Sequence, residues 1–214
     1  GTAFRAPNAY ELYYHDGGYT QKPSEDLDAE TITTYEVVLE QQLSRNLRAS
    51  ASGFYYDMED LIDQYVDPAD GLLVFRNLSE VEATGVELAL QGRWDWGLGS
   101  RLSYSHVEAQ DKASGRALVD SPKHLVKLNL LAPVIPQRLF AGLEVLYDSK
   151  AKTLAGEETD DVVLTNLTVT YVGASKRMEI AASVYNLFDV EYAHPGFGEH
   201  IQDQIEQDGR TFRI

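Results

Sequence analysis

Residues 34–57 read TYEVVLEQQLSRNLRASASGFYYD, and this stretch decides the fold class. Apolar and polar side chains alternate along residues 34–43. Such a two-residue period predicts a β-strand with one apolar face, because successive side chains of a strand point to opposite faces. Residues 44–46 read as a short polar turn, and residues 47–57 resume the alternation. The stretch therefore predicts a β-hairpin.

The same alternation recurs along the rest of the chain. Each alternating segment has about ten residues, which is the length that a tilted strand needs to cross a bilayer. With the opening hairpin, the pattern predicts roughly eight strands. The further segments are residues 84–94, 101–108, 124–131, 138–148, 161–171 and 178–186.

The connections between the predicted strands alternate in length. Short ones are predicted at residues 44–46, 95–99, 134–137 and 173–177. Longer ones are predicted at residues 6–30, 60–77, 109–121, 148–160 and 187–208. Short turns at one end and long loops at the other are typical of transmembrane β-barrels. The sequence therefore predicts an all-β, antiparallel up-and-down meander, with no helical pattern that competes.

Aromatic side chains near the predicted strand ends separate a membrane protein from a soluble one. A soluble β-sandwich alternates in the same way, but its outer face is charged and solvated. Here the apolar face ends in large aromatic rings, which favours the rim of a lipid-facing band. The rings belong to Tyr55, Trp94, Tyr104, Tyr147 and Tyr171.

Composition excludes several classes of partner and chemistry. The chain has 18 Lys and Arg against 34 Asp and Glu, a formal net charge of -16, and no cysteine. Such acidity argues against nucleic acid, because phosphate binding needs clustered Lys and Arg. The lack of cysteine excludes disulfides, zinc–thiolate sites and a thiol nucleophile within these residues.

No motif predicts catalysis, a cofactor or a metal ion. The sequence has no nucleophile elbow and no glycine-rich phosphate loop. His194 and His200 lie among acidic residues, but their spacing is not the one that puts two ligands on one helix face. Loop packing, ligand contact and a metal role remain open for this pair, with loop packing favoured.

Seven segments occur in a fixed order along the chain. They are FRAPNAYELYY (4–14), DLDAETITTYEVVLEQQL (26–43), FYYDMEDLI (54–62), FRNLSEVEATGVELAL (75–90), DSPKHLVKLNL (120–130), VYNLFDVEY (184–192) and GEHIQDQIEQDGRTFRI (198–214). In this order they resemble the C-terminal half of the barrel of TonB-dependent outer-membrane receptors. The closing segment looks most like that of ferric-siderophore and related iron-type receptors.

The resemblance implies part of a larger architecture. Barrels of this family have about 22 strands, and an N-terminal plug fills the lumen. Residues 1–214 would be the C-terminal portion of such a barrel, with the plug domain and the N-terminal barrel strands outside them. The final strand is expected to be truncated at Ile214. These residues alone are not expected to close a barrel.

The resemblance also implies a function. The chain would be part of a receptor and transporter, not an enzyme, in the outer membrane of a Gram-negative bacterium. It would serve the energised uptake of a metal chelate such as a ferric siderophore, or of haem or cobalamin. Implied partners are the plug domain and remaining barrel, a TonB–ExbB–ExbD-type energising complex, outer-membrane lipid and the metal-chelate ligand. The alternatives are a passive pore or adhesin barrel and, less favoured, a secreted β-rich binding domain or enzyme.

Candidate functional residues fall into two sets. Side chains of the predicted extracellular loops are candidates for ligand contact, with packing inside the loops as the alternative: Tyr10, Tyr13, Tyr14, Tyr19, Tyr65, His194 and His200. Polar side chains of the strands are candidates for the lumen, where they would meet the plug or water: Glu36, Arg76, Asn77, Glu87, Lys127, Glu144 and Glu179, together with Asn129 and Asn166. Apolar side chains of opposite parity would face lipid, such as Val37, Leu39, Val86, Leu88, Leu128, Leu143, Val145, Val169 and Ile180.

Overall fold

The computed structural model describes residues 1–24, 26–175, 177–196 and 200–214, without the side chains of residues 78 and 79. In these residues the chain is almost entirely β. The elements are β1 (Thr2–Arg5), α1 (Ala9–Tyr13), β2 (Glu30–Ser44), β3 (Leu47–Val66), β4 (Leu73–Arg93), β5 (Gly99–Asp111), β6 (His124–Ile135), β7 (Leu139–Asp148), β8 (Val162–Val172), β9 (Glu179–Tyr185), β10 (Ala193–Pro195), β11 (Gln204–Glu206) and β12 (Thr211–Arg213). No helix in the described ranges is long and apolar enough to cross a membrane.

Ten of the strands form one sheet in the order β1–β2–β3–β4–β5–β6–β7–β8–β9–β12. Neighbours in the sequence are neighbours in space from β1 to β9, which confirms the predicted antiparallel meander. The edges of the sheet are β1 and β12. The sheet of the described residues is therefore open, as expected for part of a barrel.

The register of β5 to β8 gives this part of the sheet two different faces. On one face, Leu102 pairs with Leu128, and Leu128 pairs with Val145. On the other face, the paired positions form a polar row across four strands. This row consists of Arg101, Asn129, Glu144 and Asn166.

The hairpin of β3 and β4 is longer than predicted. The long loop predicted at residues 60–77 is wrong, because β3 continues to Val66 and β4 begins at Leu73. A 20-residue strand at about 3.3 Å per residue and a tilt of about 40° rises roughly 50 Å, twice the height of the apolar band. Outside lipid both faces of a strand can be polar, so alternation no longer marks the strand.

A short helix, α1, lies in the first long connection, where no helix was predicted. Asn8 is the N-cap of this helix. Its side chain accepts hydrogen bonds from the backbone N–H groups of Tyr10 at 2.9 Å and Glu11 at 3.0 Å. The Glu11 carboxylate accepts from the Asn8 N–H at 2.8 Å, which completes a capping box.

The last long connection contains a separate two-stranded sheet. Strand β10 pairs with β11 in antiparallel register, with His194 opposite Ile205. The sequence predicted a long connection over residues 187–208 without strands. Pro195 is compatible with pairing because a sheet of two strands has only edge strands, where a missing N–H donor is tolerated.

The chain forms two compact units. One consists of residues 1–36, 54–84 and 109–118, and its buried apolar side chains include Val74, Val81 and Ala83. The other consists of residues 37–53, 85–108 and 119–214, and its buried side chains include Thr153 and Val162. Many large apolar side chains on the strands are exposed, among them Val37, Leu39, Val86 and Leu88. Such exposure is expected of a sheet face that packs against lipid instead of a protein core.

Candidate functional site

The first long connection, residues 6–29, is fastened to the strands by an ion-pair network. Arg5, the last residue of β1, contacts the Glu11 carboxylate of α1 at 2.9 Å and also pairs with Glu30 at the start of β2. Glu30 in turn accepts a hydrogen bond from the backbone N–H of Ile62 at 2.9 Å. The network therefore joins α1, β1, β2 and β3.

A second fastening is made by Asn77 of β4. Its Oδ1 accepts from the Asp28 N–H at 2.9 Å, and its Nδ2 donates to the Asp28 carbonyl at 3.1 Å. The same Nδ2 donates to the carbonyl of Asp60, whose φ of 58° is in the left-handed region. One amide thus holds the connection against β3 at a residue with an unusual backbone conformation.

Three aromatic rings meet above these anchors. The rings of Tyr10 and Tyr14 stack with centroids 4.5 Å apart, and Phe75 of β4 meets Tyr10 edge-on at 5.9 Å. Tyr10 remains 50% exposed and Tyr14 remains 42% exposed. We call Tyr10, Tyr14 and Phe75 the aromatic cluster. The three rings already contact one another, and those of Tyr10 and Tyr14 are still partly exposed to solvent. A further flat group can therefore stack on the cluster.

Residues 20–24 run beside the start of β4 and place a buried amide next to the aromatic cluster. Gln21 forms a parallel bridge with Leu73, and the Ser24 hydroxyl donates to the Phe75 carbonyl. Gln21 is 5% exposed, and its Oε1 accepts from the Tyr10 hydroxyl at 3.5 Å. Within the described residues its Nε2 is buried without a hydrogen-bond partner. Such an orphaned donor costs about 1–3 kcal/mol.

Opposite charges gather at the tip of the β3–β4 hairpin. The Lys22 ammonium contacts Asp67 at 2.6 Å and Asp70 at 2.8 Å, and these hydrogen bonds raise the pKa of Lys22. Arg76 approaches Asp67 at 3.4 Å and lies over the ring of Tyr65, 4.9 Å from its centroid. Together they form a charge cluster that offers two cations and two carboxylates.

Asp16 stabilises the turn that immediately precedes Gln21. Its carboxylate accepts from the backbone N–H of Tyr19 at 3.0 Å and of Thr20 at 2.8 Å, and also from the Thr20 hydroxyl. The Thr20 hydroxyl and these N–H groups lower the pKa of Asp16 from 3.8 to about 2. A depressed pKa means that the ionised carboxylate stabilises the turn. This contribution is complete above pH 3.8 and is lost as the pH falls towards about 2.

Replacing Thr20 by valine should raise the pKa of Asp16, because it removes the largest cause of the depression while keeping the side-chain shape. Titration of the Asp16 carboxylate by NMR in the labelled full-length receptor measures this. Ser114→Ala is the matched control, since it removes a hydroxyl bound to the different carboxylate of Asp111. An Asp16 titration that is the same in wild type and Thr20→Val would contradict this account of the turn.

The structure brings some of the predicted ligand residues together and leaves others apart. Tyr10 and Tyr14 belong to the aromatic cluster, and Tyr65 belongs to β3 and the charge cluster instead of a loop. Tyr13 and Tyr19 are 61% and 85% exposed. The sequence analysis missed Phe75, Gln21 and Lys22, because no local pattern marks contacts between segments so distant in sequence.

The two predicted histidines do not form a pair in the described residues. His194 lies in β10, where the ring of Tyr192 meets it edge-on with centroids 5.5 Å apart. His200 is exposed and lies outside the strands. The described residues contain no group of three or more His, Asp or Glu side chains placed to hold a metal ion.

The predicted lumen residues are dispersed over the strands. Glu144 accepts a hydrogen bond from Asn166 at 3.4 Å within the polar row, and Asn166 accepts from the Asn186 N–H at 2.9 Å. Arg76 and Asn77 belong to the clusters described above. The remaining five have exposed side chains, namely Glu36, Glu87, Lys127, Asn129 and Glu179.

Comparison with known proteins relates this geometry to a family. The family model described as TonB dependent receptor-like, beta-barrel matches residues 1–187. The iron-regulated outer membrane virulence protein of Vibrio cholerae serotype O1 is 30% identical over 92% of this chain and 34% of its own length. The vitamin B12 transporter BtuB of Photobacterium profundum is 27% identical over 90% of this chain and 31% of its own length. The chain thus spans about a third of the length of these curated relatives.

Solved structures show the same fold. The ferric-catecholate import receptor Fiu from E. coli K12 superposes with a TM-score of 0.71 at 19% identity, over 99% of this chain and 31% of that one. Of the proteins named here, the first is an outer membrane protein, the second a transporter and the third an import receptor. Because the family match extends over most of its residues, the chain belongs to the TonB-dependent receptor-like β-barrel family and is part of an outer-membrane β-barrel of a Gram-negative bacterium.

Proposed function

We propose that this chain is the C-terminal portion of a receptor barrel for the energised uptake of a metal chelate, with a ferric siderophore as the preferred class. Haem and cobalamin are the alternatives. The observation that carries the proposal is the solvent-open aromatic cluster of Tyr10, Tyr14 and Phe75. The names of an iron-regulated relative and of a ferric-catecholate receptor of the same fold support the preference for iron.

The chemistry of the two clusters suits an aromatic, anionic chelate. Flat catecholate or heterocyclic rings can stack on tyrosine and phenylalanine, and each aromatic pair is worth about 0.5–1.5 kcal/mol. The cations Lys22 and Arg76 of the charge cluster at the tip of the β3–β4 hairpin are the candidates to meet anionic oxygen atoms of the chelate.

The proposal assigns the two faces of the sheet. Apolar side chains such as Leu88 and Leu128 meet lipid, and the polar row with Glu36, Glu87 and Lys127 faces the lumen. There the polar side chains meet a plug domain or water. Uptake draws its energy from a TonB-type complex of the inner membrane, which engages the N-terminal part of the receptor.

Uptake by the full-length receptor tests the proposal. A deletion strain carrying the receptor would be supplied with ferric catecholate, ferric hydroxamate, haem or cobalamin, with and without a functional energising complex. We expect uptake of one iron chelate that stops when the complex is removed. Uptake that continues without the complex would favour the passive pore, and uptake of none of the four would refute the proposal.

Tyr10→Leu should raise the chelate concentration that gives half-maximal uptake by about 2- to 10-fold. This factor corresponds to the loss of one aromatic pair, about 0.5–1.5 kcal/mol. Leucine preserves helix propensity and apolar contact but removes the ring. Tyr13→Leu is the matched control, because it lies in the same helix, is 61% exposed and is not in the aromatic cluster. Equal effects of the two substitutions would show that the aromatic cluster does not determine binding.

A further inference from the structure

Each short connection of the sheet has an arginine in it or at its edge. These residues are Arg45 between β2 and β3, Arg93 at the end of β4, Arg138 between β6 and β7, and Arg177 between β8 and β9. The same connections contain a single carboxylate, that of Asp95. This end of the sheet is therefore basic, although the whole chain has a formal net charge of -16.

The side chains of these four arginines are exposed. Within residues 1–24, 26–175, 177–196 and 200–214, none of the four guanidinium groups is in an ion pair or a hydrogen bond. The ion pairs of these ranges involve other cations, such as Arg48 with Glu40 and Lys123 with Glu108. A guanidinium group has five N–H donors in a planar fork that fits a carboxylate or a phosphate. The four groups can therefore bind anions from outside the described chain.

Hydrogen bonds join the first two short connections. The Arg93 N–H donates to the Asn46 carbonyl at 2.9 Å, and the Asn46 Nδ2 donates to the Arg93 carbonyl at 2.7 Å. Arg45 directly precedes Asn46 in the turn between β2 and β3. The two arginines are thus held beside each other by their backbones.

Contacts also join the remaining short connections. Gly97 lies so close to the Pro133 ring of β6 that an added Cβ would be 3.0 Å from it. The Arg138 carbonyl accepts a hydrogen bond from the Val172 N–H, at the end of β8, at 2.7 Å. Successive short connections are two strands apart, which is about 10 Å at a strand spacing of about 4.8 Å. The four arginines form one row, which we call the basic rim: Arg45, Arg93, Arg138 and Arg177.

The basic rim lies at the periplasmic end of the barrel, because the short connections of outer-membrane barrels face the periplasm. Arg93 is six residues after Glu87 in β4, and such an even spacing places both side chains on one face of the strand. That face is the one assigned to the lumen under Proposed function, on the side opposite to Leu88. The Arg93 side chain is therefore directed away from the lipid.

We propose that the basic rim binds the carboxylates of the peptidoglycan layer, which lies beneath the outer membrane. The stem peptides of peptidoglycan carry free carboxylates at intervals along a linear glycan. Each arginine of the basic rim binds one carboxylate through two parallel N–H···O bonds. The contact attaches the receptor to the cell wall from the periplasmic side. The inference rests on the face assignment made under Proposed function, but not on the identity of the transported chelate.

The row of cations favours a polymer over single phospholipids. A phospholipid headgroup offers one phosphate and diffuses independently, so each headgroup gains from only one arginine. A polymer held at one arginine brings its next carboxylate near the next arginine, which raises the effective concentration of that group. The direction of Arg93, away from the lipid, favours the same partner.

Co-sedimentation of the purified full-length receptor with purified peptidoglycan sacculi tests the proposal. We expect Arg45→Gln with Arg138→Gln to lower the bound fraction by at least about fivefold, because linked contacts strengthen one another. Both residues lie in turns, and heat-modifiability on cold gels checks that the barrel is still folded. The matched control is Arg116→Gln with Lys152→Gln, which removes two positive charges from exposed side chains of the long connections.

The chemistry of the partner is tested on the wild-type receptor. Amidation of the sacculus carboxylates should abolish binding, and raising the salt from about 0.05 M to about 0.5 M should weaken it, because exposed charges are screened. No binding by the wild type, binding that survives amidation, or an equal loss in both double variants would overturn the inference. Retention of phosphatidylglycerol that falls in Arg45→Gln with Arg138→Gln, while sacculus binding is unchanged, would assign the basic rim to lipid headgroups instead. Uptake assays measure a different property, so a failure here leaves the proposed function standing.

Discussion

Replacing Leu88 by arginine in the full-length receptor should block assembly of the barrel, whereas replacing its neighbour Glu87 by arginine should leave assembly intact. Both residues lie in β4, and adjacent side chains of a strand point to opposite faces. Leu88 lines a groove on the apolar face of the sheet together with Leu102 and Tyr104. Its side chain is 49% exposed in this chain, so it is not part of a protein core.

The size of the effect follows from the depth of Leu88 in the membrane. It lies five residues before Arg93, at the end of β4 that leads into the short connection of residues 94–98. At about 3.3 Å per residue and a tilt of about 40°, this places Leu88 roughly 12 Å into an apolar band of about 25 Å. An arginine facing lipid at the midplane costs about 2–4 kcal/mol.

Heat-modifiability on cold gels measures assembly, since a folded barrel migrates differently before and after boiling. The two variants introduce the same side chain at adjacent positions, so each serves as the control for the other. We expect the folded band to be lost in Leu88→Arg and kept in Glu87→Arg. The reverse result would show that the lipid and lumen faces are assigned backwards.

The sequence predicted the meander because lipid imposes a strict rule on each strand. Where one face meets hydrocarbon and the other meets water, alternation is required, and residues 34–43 and 84–94 show it. The alternation is lost in the part of β3 and β4 next to their connection, as expected where a strand extends beyond the apolar band and both of its faces can be polar. Asp57, Asp60 and Asp63 interrupt the pattern there without ending the strand.

The candidate site was predictable to a smaller extent. The crowding of tyrosines in residues 10–19 marked the correct connection, and two of them form the aromatic cluster. The third ring, Phe75, comes from a strand more than fifty residues away and is placed by the parallel bridge between Gln21 and Leu73. A contact between distant segments has no local signature, because it depends on the register of the whole hairpin.

Asn77 has a structural role that the sequence did not predict. Its position in the segment FRNLSEVEATGVELAL suggested a lumen-facing or plug-facing residue, and that role stays a prediction. The structure adds a role within the chain, because the amide bonds to Asp28 and Asp60 and so holds the connection that carries the aromatic cluster. Ligand binding by the aromatic cluster therefore depends also on the residues that hold this connection in place.

Asn77→Asp should loosen this connection without disturbing assembly of the barrel. The substitution keeps the oxygen that accepts from the Asp28 N–H but removes the N–H₂ group that donates to the carbonyls of Asp28 and Asp60. It also places a carboxylate against those two carbonyl oxygens. Leaving such groups unsatisfied costs about 1–3 kcal/mol, which corresponds to roughly 5- to 150-fold more frequent opening of the segment.

Hydrogen exchange of residues 26–30 in the folded full-length receptor measures this opening. Asn129→Asp is the matched control, because it makes the same change of charge in the polar row of the sheet. We expect faster exchange in Asn77→Asp alone, with the heat-modifiable band retained in both variants. Loosening the connection also frees α1, so chelate uptake should weaken in the same variant. Unchanged exchange in Asn77→Asp would mean that the Arg5–Glu11–Glu30 network suffices to hold the connection, and the aromatic cluster would then depend on those charges instead.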